Sequence, residues 1–126
     1  MKSEDEGKIL EKLIGQLKAH HSELTQLGKK SPSDAVNTFK LQFINKTLSL
    51  AQDVLGKEYL PFEDFLAFNS DDVPSTSDAT MILAQYLEAA ERYRSDNVAQ
   101  EYGKYYYIID GETSTVRSAP PTWSKK

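Results

Sequence analysis

Two adjacent histidines, His20 and His21, are the only side chains of this 126-residue chain with an ordinary pKa near neutrality. Histidine-based catalysis or metal binding would therefore have to use them. Neighbouring residues of a helix point about 100° apart, so the two rings are poorly placed to share a metal ion. No Asp or Glu stands four residues from either ring. We expect hydrogen bonds at the edge of the core, with a pH-sensitive contact as the alternative.

Carboxylates cluster in residues 63–78, which we call the acidic loop. Such a cluster is suited to a divalent cation or to an acid–base pair. A calcium loop of the EF-hand type needs Gly at its sixth position and Glu at its twelfth, and the sequence fails this test. Counted from Asn69, those positions hold Pro74 and Thr80; counted from Asp71, they hold Thr76 and Ile82. We expect a solvated loop, with a weak ion site or a contact for a basic partner as alternatives. Its carboxylates are Glu63, Asp64, Asp71, Asp72 and Asp78.

Other sequence signatures of chemistry are absent. The chain has no cysteine, its glycines are isolated from one another, and neither Gly-x-Ser-x-Gly nor His-Glu-x-x-His occurs. We expect no catalytic residue, no cofactor and no bound metal, so a non-enzymatic protein is favoured over an enzyme. The alternative is an enzymatic or small-ligand-binding helical bundle that uses His20 together with the acidic loop.

Charge is distributed unevenly along the chain. Residues 57–101 carry ten acidic and three basic side chains, a net charge of −7, whereas the whole chain carries −4. Nucleic-acid binding normally requires a basic stripe, and the sequence has none, so a nucleic-acid partner is not expected. Arg92 has the spacing for an ion pair with Glu88. The acidic segment favours a protein partner with a basic surface.

Aromatic residues are concentrated near the C-terminus. A β-prone segment, Lys104–Ile109, contains Tyr105, Tyr106 and Tyr107. The turn signal Asp110-Gly111 follows it, and a second strand is predicted at 112–117. One face of this hairpin must pack on the helices, because an isolated hairpin is only marginally stable. The other face and the strand edges would then be available to a partner or to a second copy. Trp123 either folds back on the domain or serves as a docking peptide.

Three main helices must position these residues. Ser3 and Glu6 form a capping pattern before an amphipathic helix that ends at Gly28. Ser31-Pro32 begins a central helix, residues 33–55, whose wide apolar face predicts that it is the most buried helix. Pro61 is expected to begin a short aromatic helix, and Ser75 with Asp78 caps the third main helix.

The predicted fold is therefore mainly α: a small bundle of three main helices and a short aromatic helix, with a C-terminal β-hairpin and an extended tail. Residues 1–117 are expected to form one domain, and residues 118–126 a flexible tail. No secretory signal or apolar run of membrane-spanning length is present, so no membrane association and a cytoplasmic location are expected.

These observations favour a small protein-interaction module, such as an inhibitor, an immunity-type protein or an adaptor. A further alternative is a structural subunit that self-associates through the strand 105–109. The candidate partner-binding residues are Asp64, Asp71, Asp72, Glu88, Glu91, Tyr105, Tyr106, Tyr107 and Trp123.

Overall fold

The computed structural model describes residues 1–122, which form three α-helices followed by a three-stranded antiparallel sheet. The helices are α1 (Glu4–Gly28), α2 (Thr38–Tyr59) and α3 (Thr76–Asp96). The strands are β1 (Val98–Glu101), β2 (Lys104–Ile109) and β3 (Glu112–Ser118), in that spatial order. The mainly helical class and the C-terminal hairpin are confirmed. None of the three helices is both long enough and apolar enough to cross a bilayer.

The first and third helices begin where their capping residues predict. The Ser3 hydroxyl accepts from the backbone N–H of Glu6, and the Ser75 hydroxyl accepts from that of Asp78. α1 also ends at Gly28, as predicted. Local hydrogen bonds to the first free N–H groups therefore fix these boundaries, which is why sequence alone locates them.

The beginning of the second helix is predicted wrongly. α2 begins at Thr38, where the Asn37 side chain accepts from the N–H groups of Phe39 and Lys40. The preceding segment instead bonds to the chain that leads into α3: Val36 N–H donates to the Pro74 carbonyl at 2.9 Å. This partner is 38 residues away in sequence, so the Ser31-Pro32 pattern could not reveal it.

The most buried helix is α3, not α2 as predicted. Eight of the 21 residues of α3 are buried, against six of the 22 residues of α2. One apolar stripe of α2 extends beyond the area that α1 and α3 cover, so that 66% of Phe39 and 41% of Phe43 are exposed. The wide apolar face of α2 is therefore partly a surface of the protein.

The short aromatic helix predicted from Pro61 does not form. Residues 61–68 follow an irregular, extended path across the bundle. Side chains of α2 form hydrogen bonds with the backbone of this segment. Asn45 bonds to both the N–H and the C=O of Phe68, and Gln52 donates to the Leu66 carbonyl at 2.6 Å. These bonds replace the internal bonds of a helix.

The sheet contains one strand more than the predicted hairpin. β1 pairs with β2 through a turn at Tyr102-Gly103, and β2 pairs with β3 through the predicted turn at Asp110-Gly111. A bulge between Tyr106 and Ile108 lies opposite β3. It accompanies a fully buried Tyr107, whose ring contacts α1 at Gly7 so closely that an added Cβ would lie 3.0 Å away.

Candidate functional site

All five carboxylates of the acidic loop are exposed: Glu63, Asp64, Asp71, Asp72 and, in the first turn of α3, Asp78. The backbone of the loop is held to the bundle at three successive points. Asn45 clamps Phe68, Gln52 donates to the Leu66 carbonyl, and the Tyr86 hydroxyl donates to the Phe65 carbonyl at 3.2 Å. The helices therefore fix the path of residues 65–68, which lie between Asp64 and the Asp71–Asp72 pair in sequence.

An aromatic layer lies beneath this loop. The Phe65 ring makes edge-to-face contacts with Phe62 and Phe68, at centroid distances of 6.5 and 5.0 Å. All three rings pack against the core, whereas Leu66, between them in sequence, is 63% exposed. The surface of the loop consequently combines an apolar side chain with carboxylates, and its inner side is an ordered part of the core.

Glu88 is exposed on α3 and lines a cleft of about 270 Å³ with Tyr59, Pro61 and Arg92. The ion pair expected between Glu88 and Arg92 is not among those of the described residues. Arg92 instead lies over the Tyr59 ring, 5.6 Å from its centroid. Glu88 therefore remains available at the surface.

Asp96 is half-buried at the end of α3 and bonds within the protein. The Tyr59 hydroxyl donates to its carboxylate at 2.6 Å. The pKa of Tyr59 is raised to about 12. Burial is the largest cause, and the hydrogen bond to Asp96 and the charge of Asp96 add to it. This carboxylate adds to the charge of the 57–101 segment but is occupied within the protein.

Glu91 is also internal, although it was expected on the partner-binding surface. Arg94, only 1% exposed, donates to both oxygens of Glu91 at 2.6 and 2.8 Å and to both oxygens of Glu11 at 3.1 and 3.2 Å. Lys18 approaches Glu91 from α1 at 3.4 Å. We call Glu11, Glu91, Arg94 and Tyr107 the ionic cluster. Because its charges are paired, Glu91 is not part of the candidate site.

The pKa of Glu91 reflects two opposing influences. Burial is the largest single influence and by itself would raise the pKa. The hydrogen bonds from Arg94 and from the backbone of Thr122, with the charges of Arg94 and Lys18, together outweigh it and hold the pKa below its ordinary value. The folded protein thus stabilises the charged form of Glu91.

Tyr107 completes the ionic cluster, so it too is absent from the accessible surface. Its hydroxyl donates to Glu11 Oε1 at 2.6 Å, and the backbone N–H of Ala119 donates to the same oxygen at 3.3 Å. Burial, with the hydrogen bond and charge of Glu11, raises the pKa of Tyr107. No sequence pattern identifies Glu11, because its three partners lie 83 to 108 residues away.

The remaining tyrosines of β2 are half-buried, and Arg117 lies over the Tyr106 ring at 5.6 Å. β2 is the central strand, with both edges paired, so the edge that a self-association through residues 105–109 requires is already occupied. Trp123 lies outside the described residues.

His20 and the acidic loop are not brought together. His20 Nε2 lies 3.0 Å from the Thr47 hydroxyl, and burial lowers the pKa of His20, opposed by the charge of Glu23. The loop contacts α2 at Asn45, two residues from Thr47 and therefore about 200° around the helix. The two groups thus occupy different sides of α2.

Within residues 1–122, no three His, Asp or Glu side chains converge in a way that could hold a metal ion. The candidate site therefore consists of exposed residues: the carboxylates of the acidic loop, Leu66 within that loop, and Glu88 on α3. Comparisons of this chain with protein-family models, curated proteins and solved structures gave no match.

Proposed function

We propose that this protein is a non-enzymatic interaction module, an inhibitor, immunity-type or adaptor protein that binds a basic surface of another protein. The contact residues are Asp64, Asp71 and Asp72 of the acidic loop, with the exposed Leu66 of the same loop and Glu88 on α3. The observation that carries the proposal is that side chains of α2 and α3 hold the backbone of residues 65–68, between Asp64 and Asp71.

Fixation of the loop matters because association has an entropic cost. A loop that is already ordered loses little conformational freedom on binding, so more of the interaction free energy contributes to affinity. Exposed carboxylates of one sign attract a basic partner over distances of about 10 Å at moderate ionic strength. Leu66, 63% exposed, offers the apolar contact that a desolvated interface centre requires.

A charge-neutralising variant tests this proposal. The variant combines Asp64→Asn, Asp71→Asn and Asp72→Asn. It is compared with the native chain by affinity capture and mass spectrometry. We expect a protein captured by the native chain to be lost from the variant. At an ionic strength of about 1 M, where the screening length is about 3 Å, this protein should also be released.

A matched control removes the same charge elsewhere. The control combines Glu4→Gln, Glu58→Gln and Glu112→Gln. These three glutamates are also exposed, and they lie outside the candidate site. The control triple variant should capture the same protein as the native chain. Equal capture by the Asp64, Asp71, Asp72 triple variant, or no captured protein that distinguishes the two triple variants, would refute the proposal.

A further inference from the structure

The turn between β1 and β2 begins with a tyrosine, Tyr102, which is an unusual residue for its backbone conformation. Tyr102 is 100% exposed and has a φ of 52°, in the left-handed region that favours Gly, Asn and Asp. The other hairpin places Asp110 at the same φ of 52°, followed likewise by a glycine. Asp is common in this conformation, whereas Tyr adopts it at a cost in backbone strain. The Tyr102 ring is thus presented to solvent in a strained turn that an Asn or Asp would form more favourably.

A groove of about 640 Å³ lies between the N-terminal part of α1 and the C-terminal half of α2. Ile9, Leu50 and Val54 form much of its apolar lining, with Tyr93 of α3. Ile9 is 39% exposed there. We call this the Ile9 groove. Its size and lining suit one aromatic side chain with its flanking backbone.

Charges at the hairpin tip and at the groove are complementary. Glu101 precedes Tyr102 and Lys104 follows Gly103, while Lys2, Glu6 and Asp53 line the groove. Within the part of the chain that the structure describes, none of these five side chains takes part in an ion pair. Both the apolar and the charged parts of the tip therefore have counterparts in the groove.

A molecule cannot place its own tip in its own groove. Met1, which lines the groove, accepts a hydrogen bond from the N–H of Asp110 at 2.9 Å, at one end of β2. Tyr102 lies beyond the other end of this six-residue strand. At about 3.3 Å per residue, the two ends are roughly 17 Å apart. The tip that occupies the groove must come from another copy.

We propose that the Tyr102 tip of one copy inserts into the Ile9 groove of a second copy, in a head-to-tail contact that pairs Glu101 with Lys2 and Lys104 with Asp53. The tip and the groove are different surfaces, so one contact leaves a free tip and a free groove at the ends of the pair. This self-association uses none of the acidic-loop residues, so it can fail or succeed independently of the proposed function.

Sedimentation velocity of the full chain at concentrations up to about 1 mM, which detects contacts with a Kd near that value, tests the proposal. We expect the average mass to rise with concentration. Tyr102→Asn, which removes the ring and suits the left-handed turn, should weaken association by at least about tenfold. Ile9→Lys, which places a charge in the groove, should have a similar effect.

Two matched variants control for nonspecific effects. Asp110→Asn alters the equivalent position of the other hairpin, and Leu27→Lys adds the same charge at a residue of α1 that is 45% exposed and lies outside the groove. Both should associate like the native chain. Thermal unfolding of each variant establishes that it is folded.

Mixing the two interface variants distinguishes a head-to-tail contact from a general loss of structure. Tyr102→Asn retains its groove and Ile9→Lys retains its tip, so each should be monomeric alone and the mixture should form a one-to-one dimer. A native chain that stays monomeric, a Tyr102→Asn variant that associates like the native chain, or a mixture without dimer overturns the proposal. A monomeric native chain would leave the groove to a different protein.

Discussion

The ionic cluster and the acidic loop contain the same chemical groups in opposite situations. In the ionic cluster, Glu91 and Glu11 share one buried guanidinium, that of Arg94. In the acidic loop, Asp64, Asp71 and Asp72 are exposed, while the backbone beneath the loop is held by amide and hydroxyl side chains. The fold thus neutralises one set of carboxylates and presents the other to solvent.

This difference shows why net charge along a sequence is a poor measure of charge at a surface. The 57–101 segment has a net charge of −7, but two of its ten carboxylates, Glu91 and Asp96, bond within the protein. One of its three basic groups, Arg94, is buried against Glu91. The charge that a partner can contact is that of the acidic loop with Glu58, Glu88 and Glu101, offset in part by exposed Lys57 and Arg92.

The largest expected effect comes from removing the shared cation. Arg94→Met leaves the Glu91 and Glu11 carboxylates without their guanidinium, and breaking a buried ion pair in this way costs about 3–5 kcal/mol. Urea unfolding measures the loss. Arg92→Met, two residues along the same helix and over the Tyr59 ring, should cost less than about 1 kcal/mol. Similar losses in the free energy of unfolding of the two variants would contradict the conclusion that the ionic cluster stabilises the fold.

A smaller effect is expected from the hydroxyl of Tyr107. Tyr107→Phe keeps the buried ring but removes the bond to Glu11, and hydrogen bonds to charged groups contribute about 1.5–3 kcal/mol. Tyr105→Phe on the same strand should change the free energy of unfolding by less than about 0.5 kcal/mol. A Tyr107→Phe protein as stable as the native chain would remove Tyr107 from the cluster.

Acid titration sharpens the comparison further. The pKa of Glu91 lies below its ordinary value of 4.5 in the folded protein, so the unfolded chain binds more protons between the two values. The free energy of unfolding should therefore fall as pH decreases through this window. Glu91→Gln should reduce this dependence, measured by urea unfolding at successive pH values. A Glu91→Gln variant with the pH dependence of the native chain would refute this role of Glu91.

The smallest effect on stability is expected in the acidic loop itself. The Asp64, Asp71, Asp72 triple variant removes three charges without breaking a bond that holds the loop, so the free energy of unfolding should change by less than about 1 kcal/mol. Thermal unfolding measures this change. A large destabilisation would show that the loop carboxylates have a structural role like that of Glu91.

Local signals account for what could be predicted from the sequence. Ser3, Gly28, Ser75 and the Asp110-Gly111 turn act on backbone groups within a few residues, so their effects follow from sequence alone. The path of residues 61–68 and the beginning of α2 depend on partners far along the chain, at Asn45 and Pro74 respectively. No short-range pattern encodes those bonds.

The residues expected at the candidate site also fall into two groups, those that local sequence predicts correctly and those that distant partners place elsewhere. Asp64, Asp71, Asp72 and Glu88 are exposed as expected, because polar loops and the outer face of an amphipathic helix meet solvent. Glu91 and Tyr107 are buried because each meets an oppositely charged or polar group from another element. β1 was missed because it is a four-residue strand whose turn begins with Tyr102 and not with Asn or Asp.

The position of Glu11 has a consequence for the order in which the chain can fold. Its partners Arg94, Tyr107 and Ala119 are 83, 96 and 108 residues away, so during synthesis α1 emerges long before any of them. α1 and α2 alone cannot complete the cluster, and contacts of such long sequence separation slow folding because a large loop must close first. We therefore expect a ribosome-bound chain to stay incompletely packed until β3 has emerged, and then to fold cooperatively.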